Sequence, residues 1–332
     1  MATMVAPATS VSAQPTAKTV EPHSAKLGRV LVTGGTGLVG SALLPALAAD
    51  GHPLSLLTRS KGGGSVAVEG VSSVAWDPEH GQIDGSGLEG VDAVVHLAGD
   101  GIATGRWTRA KKQRIRDSRV EGTRLLCETL AGMKRRPKVL VSASAIGYYG
   151  HRGDSMVDEQ ALPGHGFLPE VSDAWEQATR PAAEAGIRVV NLRIGIVLSR
   201  DGGALQKMLL PFQLGLGGIV GHGGQYWSWV SLEDLVGIIR HALANDSLHG
   251  PVNAVAPGSV TNREFTKALG RVLRRPTLFP LPAVVARIML GEMADGLLLA
   301  STRVAPVRLM ESGYRFQHPE IEGALRAVLR RS

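Results

Sequence analysis

Three glycines, Gly34, Gly37 and Gly40, follow directly on a short apolar run, Arg29–Thr33, and open a stretch in which Leu43, Leu44 and Leu47 recur at helical spacing. A β-branched apolar run of this kind reads as a buried strand. Glycines at a strand-to-helix turn serve three needs: the sharp turn itself, close approach of the backbone to a pyrophosphate, and tight packing of helix on strand. The helix start adds unpaired N–H groups and the positive end of its dipole. The chemistry implied is the grip of a dinucleotide's paired phosphates, with Gly34, Thr36, Gly37, Leu38, Val39 and Gly40 as contact positions. The next apolar run ends Leu56-Leu57-Thr58-Arg59-Ser60. An NAD site usually places a carboxylate there for the ribose 2′-OH. Here Arg59 offers a forked cation suited to a 2′-phosphate, with Thr58 and Ser60 as added donors, so the sequence selects NADP(H) over NAD(H). The plainer reading of Arg59 is an exposed arginine in an ordinary loop.

Two further strand ends carry chemistry. His96-Leu97-Ala98-Gly99 ends one run in small residues, against which an adenosine ribose can lie, making Leu97, Ala98 and Gly99 contact positions. His96 is read as a hydrogen-bonded structural residue. Ser142-Ala143-Ser144 ends another run and leads into Tyr148-Tyr149-Gly150. Hydroxyls at such an edge are placed to bond a carbonyl or hydroxyl near a nicotinamide, which makes Ser142 a cofactor position and Ser144, Tyr148 and Tyr149 candidates for catalysis.

The elements that hold these residues alternate. Strands are expected at 29–33, 53–58, 71–76, 93–97, 138–142 and 187–193, and helices at 41–49, 108–133, 168–184 and 232–244. Alternation of this kind predicts an α/β fold: a Rossmann-type doubly wound parallel sheet, with a small, mostly helical C-terminal cap. The expected organisation is a disordered leader at 1–27, a nucleotide-binding domain at 28–245 and a substrate and cap region at 246–332. Gly202-Gly203, Gly215, Gly217-Gly218, Gly221 and Gly223-Gly224 surround Tyr226, Trp227 and Trp229 near the join.

Composition sets the outer bounds. The 332 residues are 44% hydrophobic and 20% charged, which supplies a sizeable core and excludes wholesale disorder. The single cysteine, Cys127, excludes an intramolecular disulfide and a cysteine-rich zinc site, and is expected to be buried. No metal constellation stands out among the scattered histidines. The net charge of +7 is concentrated at 106–138, where twelve Lys/Arg face three acids. That segment reads as a solvated helix face, then as an anionic-substrate platform; nucleic acid is not expected, because beyond Trp107 no stacking aromatics are interleaved with the charges. The apolar stretch 281–300 is interrupted by Arg287, Glu292 and Asp295, so it reads as an amphipathic or core helix, and no membrane partner is expected. Residues 1–27 lack the apolar centre of a secretory signal. The expected compartment is the cytoplasm, or an organelle stroma or matrix if that leader is a transit peptide.

Together the Gly34-x-x-Gly37-x-x-Gly40 turn, His96-Leu-Ala-Gly99, and Ser142-Ala-Ser144 with Tyr148-Tyr149-Gly150 resemble an extended short-chain dehydrogenase/reductase. More narrowly, Arg106-Trp107-Thr108, Asp173-Ala-Trp175-Glu176, Leu192-Arg-Ile-Gly195 and Pro306-Val-Arg-Leu309 resemble the atypical branch of sugar-nucleotide epimerase-like proteins, whose small C-terminal domain would match about 274–329. The resemblance implies NADP(H) binding, Ile194 and Gly195 as further cofactor positions, and hydride transfer to or from nicotinamide C4 as an oxidoreductase or epimerase of an unknown small molecule. Gln206, Lys207, His222, Tyr226 and Trp227 would line the substrate end; Tyr226 and Trp227 equally suit hydrophobic anchoring of the cap. Arg106 and Arg193 suit either an anionic group or an internal salt bridge.

One departure is large. Such enzymes use a Tyr-x-x-x-Lys pair, whose lysine lowers the tyrosine pKa. Counting back from Glu176 puts Leu168 at the tyrosine position and Ser172 at the lysine position, and the motif occurs nowhere in the chain. Three readings stay open: Tyr148 or Tyr149 acts with Ser144 in another geometry, the substrate brings its own acid/base group, or the protein is a non-catalytic NADPH-binding sensor or assembly partner.

Overall fold

The computed structural model describes residues 28–59 and 70–330. The leader at 1–27 and the candidate Ser60 lie outside the described residues. Eight runs form one sheet: β1 (Arg29–Thr33), β2 (Leu54–Thr58), β3 (Ser72–Asp77), β4 (Gln82–Ile83), β5 (Val91–His96), β6 (Val139–Ala145), β7 (Arg188–Ile194) and β8 (Gly250–Ala254). Their order is β8-β7-β6-β5-β1-β2-β3-β4, and every neighbouring pair is parallel except β3 with β4. The chain winds outward from β1 through β2 to one edge, then returns to place β5 on the other side of β1. Ligands of open α/β sheets bind beyond the strand carboxyl ends at such a reversal.

Helices cover both faces, as near-continuous apolar strands require. They are α1 (Leu38–Ala49), α2 (Arg109–Gly132), α3 (Phe167–Gln177), α4 (Arg180–Glu184), α5 (Gly203–Gln213), α6 (Leu232–Ala244), α7 (Asn262–Leu273) and α8 (Ala283–Leu290). Successive side chains of β1 point to opposite faces. Val30 and Val32 pack with Leu43 and Leu47 of α1 and with Leu235 and Ile238 of α6. Leu31 packs on the other face with Leu126, Cys127 and Leu130 of α2 and Ala182 of α4. This is the doubly wound Rossmann-type sheet that the alternation predicted. Cys127 is fully buried, and burial pushes its thiol up to about 12.

Three expectations need correction. The helix expected at 168–184 is two helices, α3 and α4, separated at Ala178 and Thr179. Pro181 has no N–H for a continuing ladder, and it occupies the start of α4, where that loss is harmless. The short β4, absent from the sequence reading, turns back antiparallel on β3. The sheet also runs past residue 245, since β8 pairs with β7 and forms the sheet's edge. Beyond it the helical cap has its own apolar centre, where Leu205 of α5, Trp227, Trp229, Phe265 and Leu269 of α7, and Leu325 meet. No helix among the described residues is long and apolar enough to cross a membrane.

Candidate functional site

The glycine turn is built as its spacing demands, and its glycines divide the work. Gly34 has φ +68°, and a Cβ there would fall 2.8 Å from the Leu97 carbonyl carbon, so this glycine makes the turn and seats it on the end of β5. A Cβ on Gly40 would lie 2.3 Å from the Gly34 oxygen and 2.6 Å from the Gly35 Cα, so Gly40 sets how closely α1 packs on the turn. Gly37 differs: a Cβ there meets only the Gly34 oxygen, at 3.2 Å. It caps α1 in extended conformation, with no side-chain cap and no acid in the first turn. Among the described residues, the first N–H groups of α1 therefore meet no capping side chain and no first-turn carboxylate at the place where a phosphate fits. Thr36 is exposed, and Leu38 and Val39 are half-buried. Leu38 abuts the start of α5: a Cβ on Gly202 would lie 3.0 Å from its Cδ1. Arg59 stands exposed just after β2, with Thr58 half-buried before it.

The end of β5 is fixed by a buried relay. The Thr33 hydroxyl oxygen accepts from the Leu97 and Ala98 N–H groups, both at 3.1 Å. With its lone pairs so used, its own proton goes to His96 Nδ1, 2.8 Å away. His96 Nε2 then donates to the Thr123 hydroxyl at 2.9 Å, which also accepts from the Trp175 indole at 2.9 Å. Burial pushes the His96 pKa down to about 4, so the ring is neutral and structural. Beside it lies a residue the sequence reading missed. The Arg119 guanidinium would sit 3.3 Å from a Cβ on Gly99, and it donates to the Asp100 and Ile115 carbonyls at 2.9 and 3.1 Å. Burial lowers its pKa to about 10, with the nearby Asp100 charge opposing the shift. The signal was present: Arg119 falls on the inward stripe of α2 that carries Ile115, Leu126 and Leu130.

At the end of β6 the usual catalytic machinery gives way to an ion pair. Arg193 of β7 holds Glu176 of α3 by two bonds of 2.8 Å, and Ser144 donates to the same carboxylate at 2.7 Å. The Arg193 guanidinium lies 3.5 Å above the Tyr148 ring and donates to the Tyr149 hydroxyl at 2.9 Å. Burial works against the Arg193 charge, but the bonds to Glu176 outweigh it and hold the group protonated beyond an ordinary arginine. Arg193 is thus an internal salt-bridge partner, and Glu176 is its buried counter-ion. Leu168 and Ser172 do face the loop after β6: a Cβ on Gly147 would lie 3.3 Å from Leu168 and 3.7 Å from the Ser172 hydroxyl. Gly296 of the cap closes over Leu168, where a Cβ would come within 3.0 Å of Trp107 and 3.5 Å of Leu168.

Tyr149 is withdrawn from the catalytic candidates. It is 0% exposed, its hydroxyl donates to Asn253 at 2.7 Å, and burial pushes its pKa up to about 12 against the pull of Arg193. Tyr148 is buried in the same cluster, and burial raises its pKa too. Trp227 is withdrawn as a substrate-lining residue: it is 4% exposed, packs on Phe265 and donates to the Leu298 carbonyl. Gln206, Lys207 and His222 are exposed, and Lys207 bonds the Ala103 carbonyl, which ties α5 to the loop after β5. Tyr226 is half-buried, 4.7 Å below the Arg303 guanidinium. Arg106 bonds the Met289 and Ile288 carbonyls. Ser142 is fully buried within β6, paired with His96 of β5. Ile194 and Gly195 stand at the end of β7, where a Cβ on Gly195 would lie 2.8 Å from the Ser228 oxygen. No group of three or more His, Cys, Asp or Glu side chains among the described residues is arranged to hold a metal ion.

A parallel sheet with its glycine turn at the reversal point defines a nucleotide-binding α/β protein of the Rossmann type. The chain belongs to the NAD dependent epimerase/dehydratase family, whose model matches residues 30–255, and a domain of unknown function (DUF1731) matches 281–328. It is 44% identical over 296 residues to epimerase family protein Mb2239 of Mycobacterium bovis, covering 89% of this chain and 96% of that one. It is 38% identical over 306 residues to a chloroplastic SDR39U1 homologue of Arabidopsis thaliana, covering 90% and 86%. The crystal structure of human SDR39U1 (isoform 2) with NADPH superposes with a TM-score of 0.82 at 35% identity, covering 92% of this chain and all of that one.

Proposed function

We propose that the protein binds NADPH at the carboxyl edge of its sheet and acts there, as an oxidoreductase or epimerase, on a small molecule. The observation that carries this is the α1 start, uncapped and opened by Gly37, with the exposed Arg59 at the next strand end in place of a carboxylate. The solved relative that carries NADPH supports the same reading. The α1 N–H groups would hold the pyrophosphate, Arg59 the 2′-phosphate, and the Leu97–Gly99 backbone the adenosine ribose. When bound, the cofactor supplies or accepts a hydride. Ser144, kept in one orientation by Glu176, would position the reacting oxygen, and Tyr148 is the nearest remaining phenol. Arg119 supplies positive charge beside Gly99, held by the Asp100 and Ile115 carbonyls and, among the described residues, by no carboxylate.

Titration calorimetry tests the reading. NADPH should bind at least about tenfold more tightly than NADH, and Arg59→Glu should remove most of that preference. Equal affinities, or an unchanged Arg59→Glu variant, overturn the assignment. A second reading is favoured by Leu168 and Ser172 at the tyrosine and lysine positions: NADPH is held without turnover, as a sensor or structural ligand. Incubating the protein and NADPH with metabolite pools separates the two, since loss of NADPH absorbance in some pool requires catalysis. We propose the cytoplasm as the compartment; a mature N-terminus found near residue 27 would point to an organelle instead.

A further inference from the structure

The exposed large apolar side chains are concentrated. Leu214 (65% exposed), Leu216 (57%), Leu278 (75%), Phe279 (58%), Ile288 (67%) and Met289 (60%) lie on two segments of the cap. The segments run side by side: Arg275 donates to the Gln213 carbonyl at 2.8 Å, and a Cβ on Gly218 would collide with the Phe279 oxygen. Pro276, Pro280 and Pro282 bracket Leu278 and Phe279, so this pair is presented on a stiffened loop. Cations stand next to it. Lys267 and Arg271 share one face of α7, Arg274 caps its end, and with Arg275 they line a depression of ≈ 460 Å³. Glu322 pairs with Arg271, but among the described residues no carboxylate pairs with Lys267, Arg274 or Arg275. Exposed apolar side chains gathered in this way mark a contact surface.

We propose that this face of the cap docks on an anionic phospholipid surface, with Leu278 and Phe279 entering the headgroup layer and the α7 cations lying on the phosphates. Apolar side chains beside Lys and Arg are the pattern of interfacial membrane contact, where burial and charge attraction add. The charge decides against a second copy as the occupant. A two-fold contact brings the same patch against itself, so two clusters of like charge would be gathered into one interface. The apolar stretch 281–300 was read from sequence as too interrupted for a span; peripheral contact needs no span.

The test is co-sedimentation of the full-length protein with vesicles of phosphatidylcholine alone and of phosphatidylcholine mixed with phosphatidylglycerol. Partitioning should be at least about tenfold stronger on the mixed vesicles and should weaken with added salt. Leu278→Ser with Phe279→Ser, and separately Lys267→Glu with Arg274→Glu, should each abolish the preference. Circular dichroism and melting curves establish that both variants fold. No partitioning by the wild type, equal partitioning on both vesicles, or unaltered variants would overturn the proposal. So would a dimer, seen by sedimentation without vesicles, that the Leu278→Ser and Phe279→Ser changes dissolve, since that gives the face to self-association.

Discussion

His96 is neutral because burial disfavours its charged form, and its ring atoms are already committed: Thr33 donates to Nδ1, and Nε2 donates to a Thr123 oxygen that also receives Trp175. A proton added at Nδ1 would face a hydroxyl oxygen already accepting two N–H groups. The folded pKa of about 4 lies below the unfolded 6.5, so between these values the unfolded chain binds more protons. The contribution is therefore complete above pH 6.5 and is lost as pH falls from 6.5 toward 4. Urea unfolding at pH 7 and pH 5 should differ by about 2 kcal/mol from this residue alone. In His96→Gln the part of the difference due to this ring should vanish; an equally steep pH dependence in the variant counts against the account. The Arg193–Glu176 pair has a different character. Its charges are buried together, so removing either one strands the other at a cost of several kcal/mol.

At the scale of elements, the glycine turn separates packing from ligand approach. Gly40→Ala gains up to about 1 kcal/mol of helix propensity but drives a methyl into the Gly34 and Gly35 backbone, which costs more. It should lower the melting temperature. Gly37→Ala meets one oxygen at 3.2 Å and should melt near the wild type while weakening NADPH binding. Melting curves and calorimetry on the pair check this, and the reverse pattern would exchange the roles assigned to the two glycines. This turn was legible in the sequence because its causes are local: strand, glycine and helix adjoin. The missing Tyr-x-x-x-Lys was legible for the same reason. The replacement was not. Ser144, Glu176 and Arg193 come from β6, α3 and β7, and only sheet order brings them together. The break between α3 and α4 has a local cause in Pro181, which starts α4. Burial of Tyr149 and Trp227 depended on how the cap closes, which no local pattern encodes.

Across the whole molecule, Asp234 joins the cap's last segment to the sheet layer. It is 0% exposed on α6, and its carboxylate accepts from Ser231 at 2.8 Å, from the Gln317 N–H at 2.8 Å and from the His318 N–H at 3.0 Å. Asp234→Asn turns an amide N–H₂ toward a donor and leaves a buried group unmatched, at about 1–3 kcal/mol. Hydrogen exchange should then show residues 314–318 opening while β1 and β5 keep their protection. Uniform loss of protection would show that the segment is no separate unit.

Gly296 has a further consequence. It packs the cap against Trp107 and Leu168, directly over the position where the usual tyrosine would stand. Restoring tyrosine at 168 and lysine at 172 would also set a new ammonium one helical turn before Glu176, in competition with Arg193 for the same carboxylate. Installing the usual dyad therefore touches three segments at once: α3, the cap at Gly296 and the Arg193–Glu176 pair.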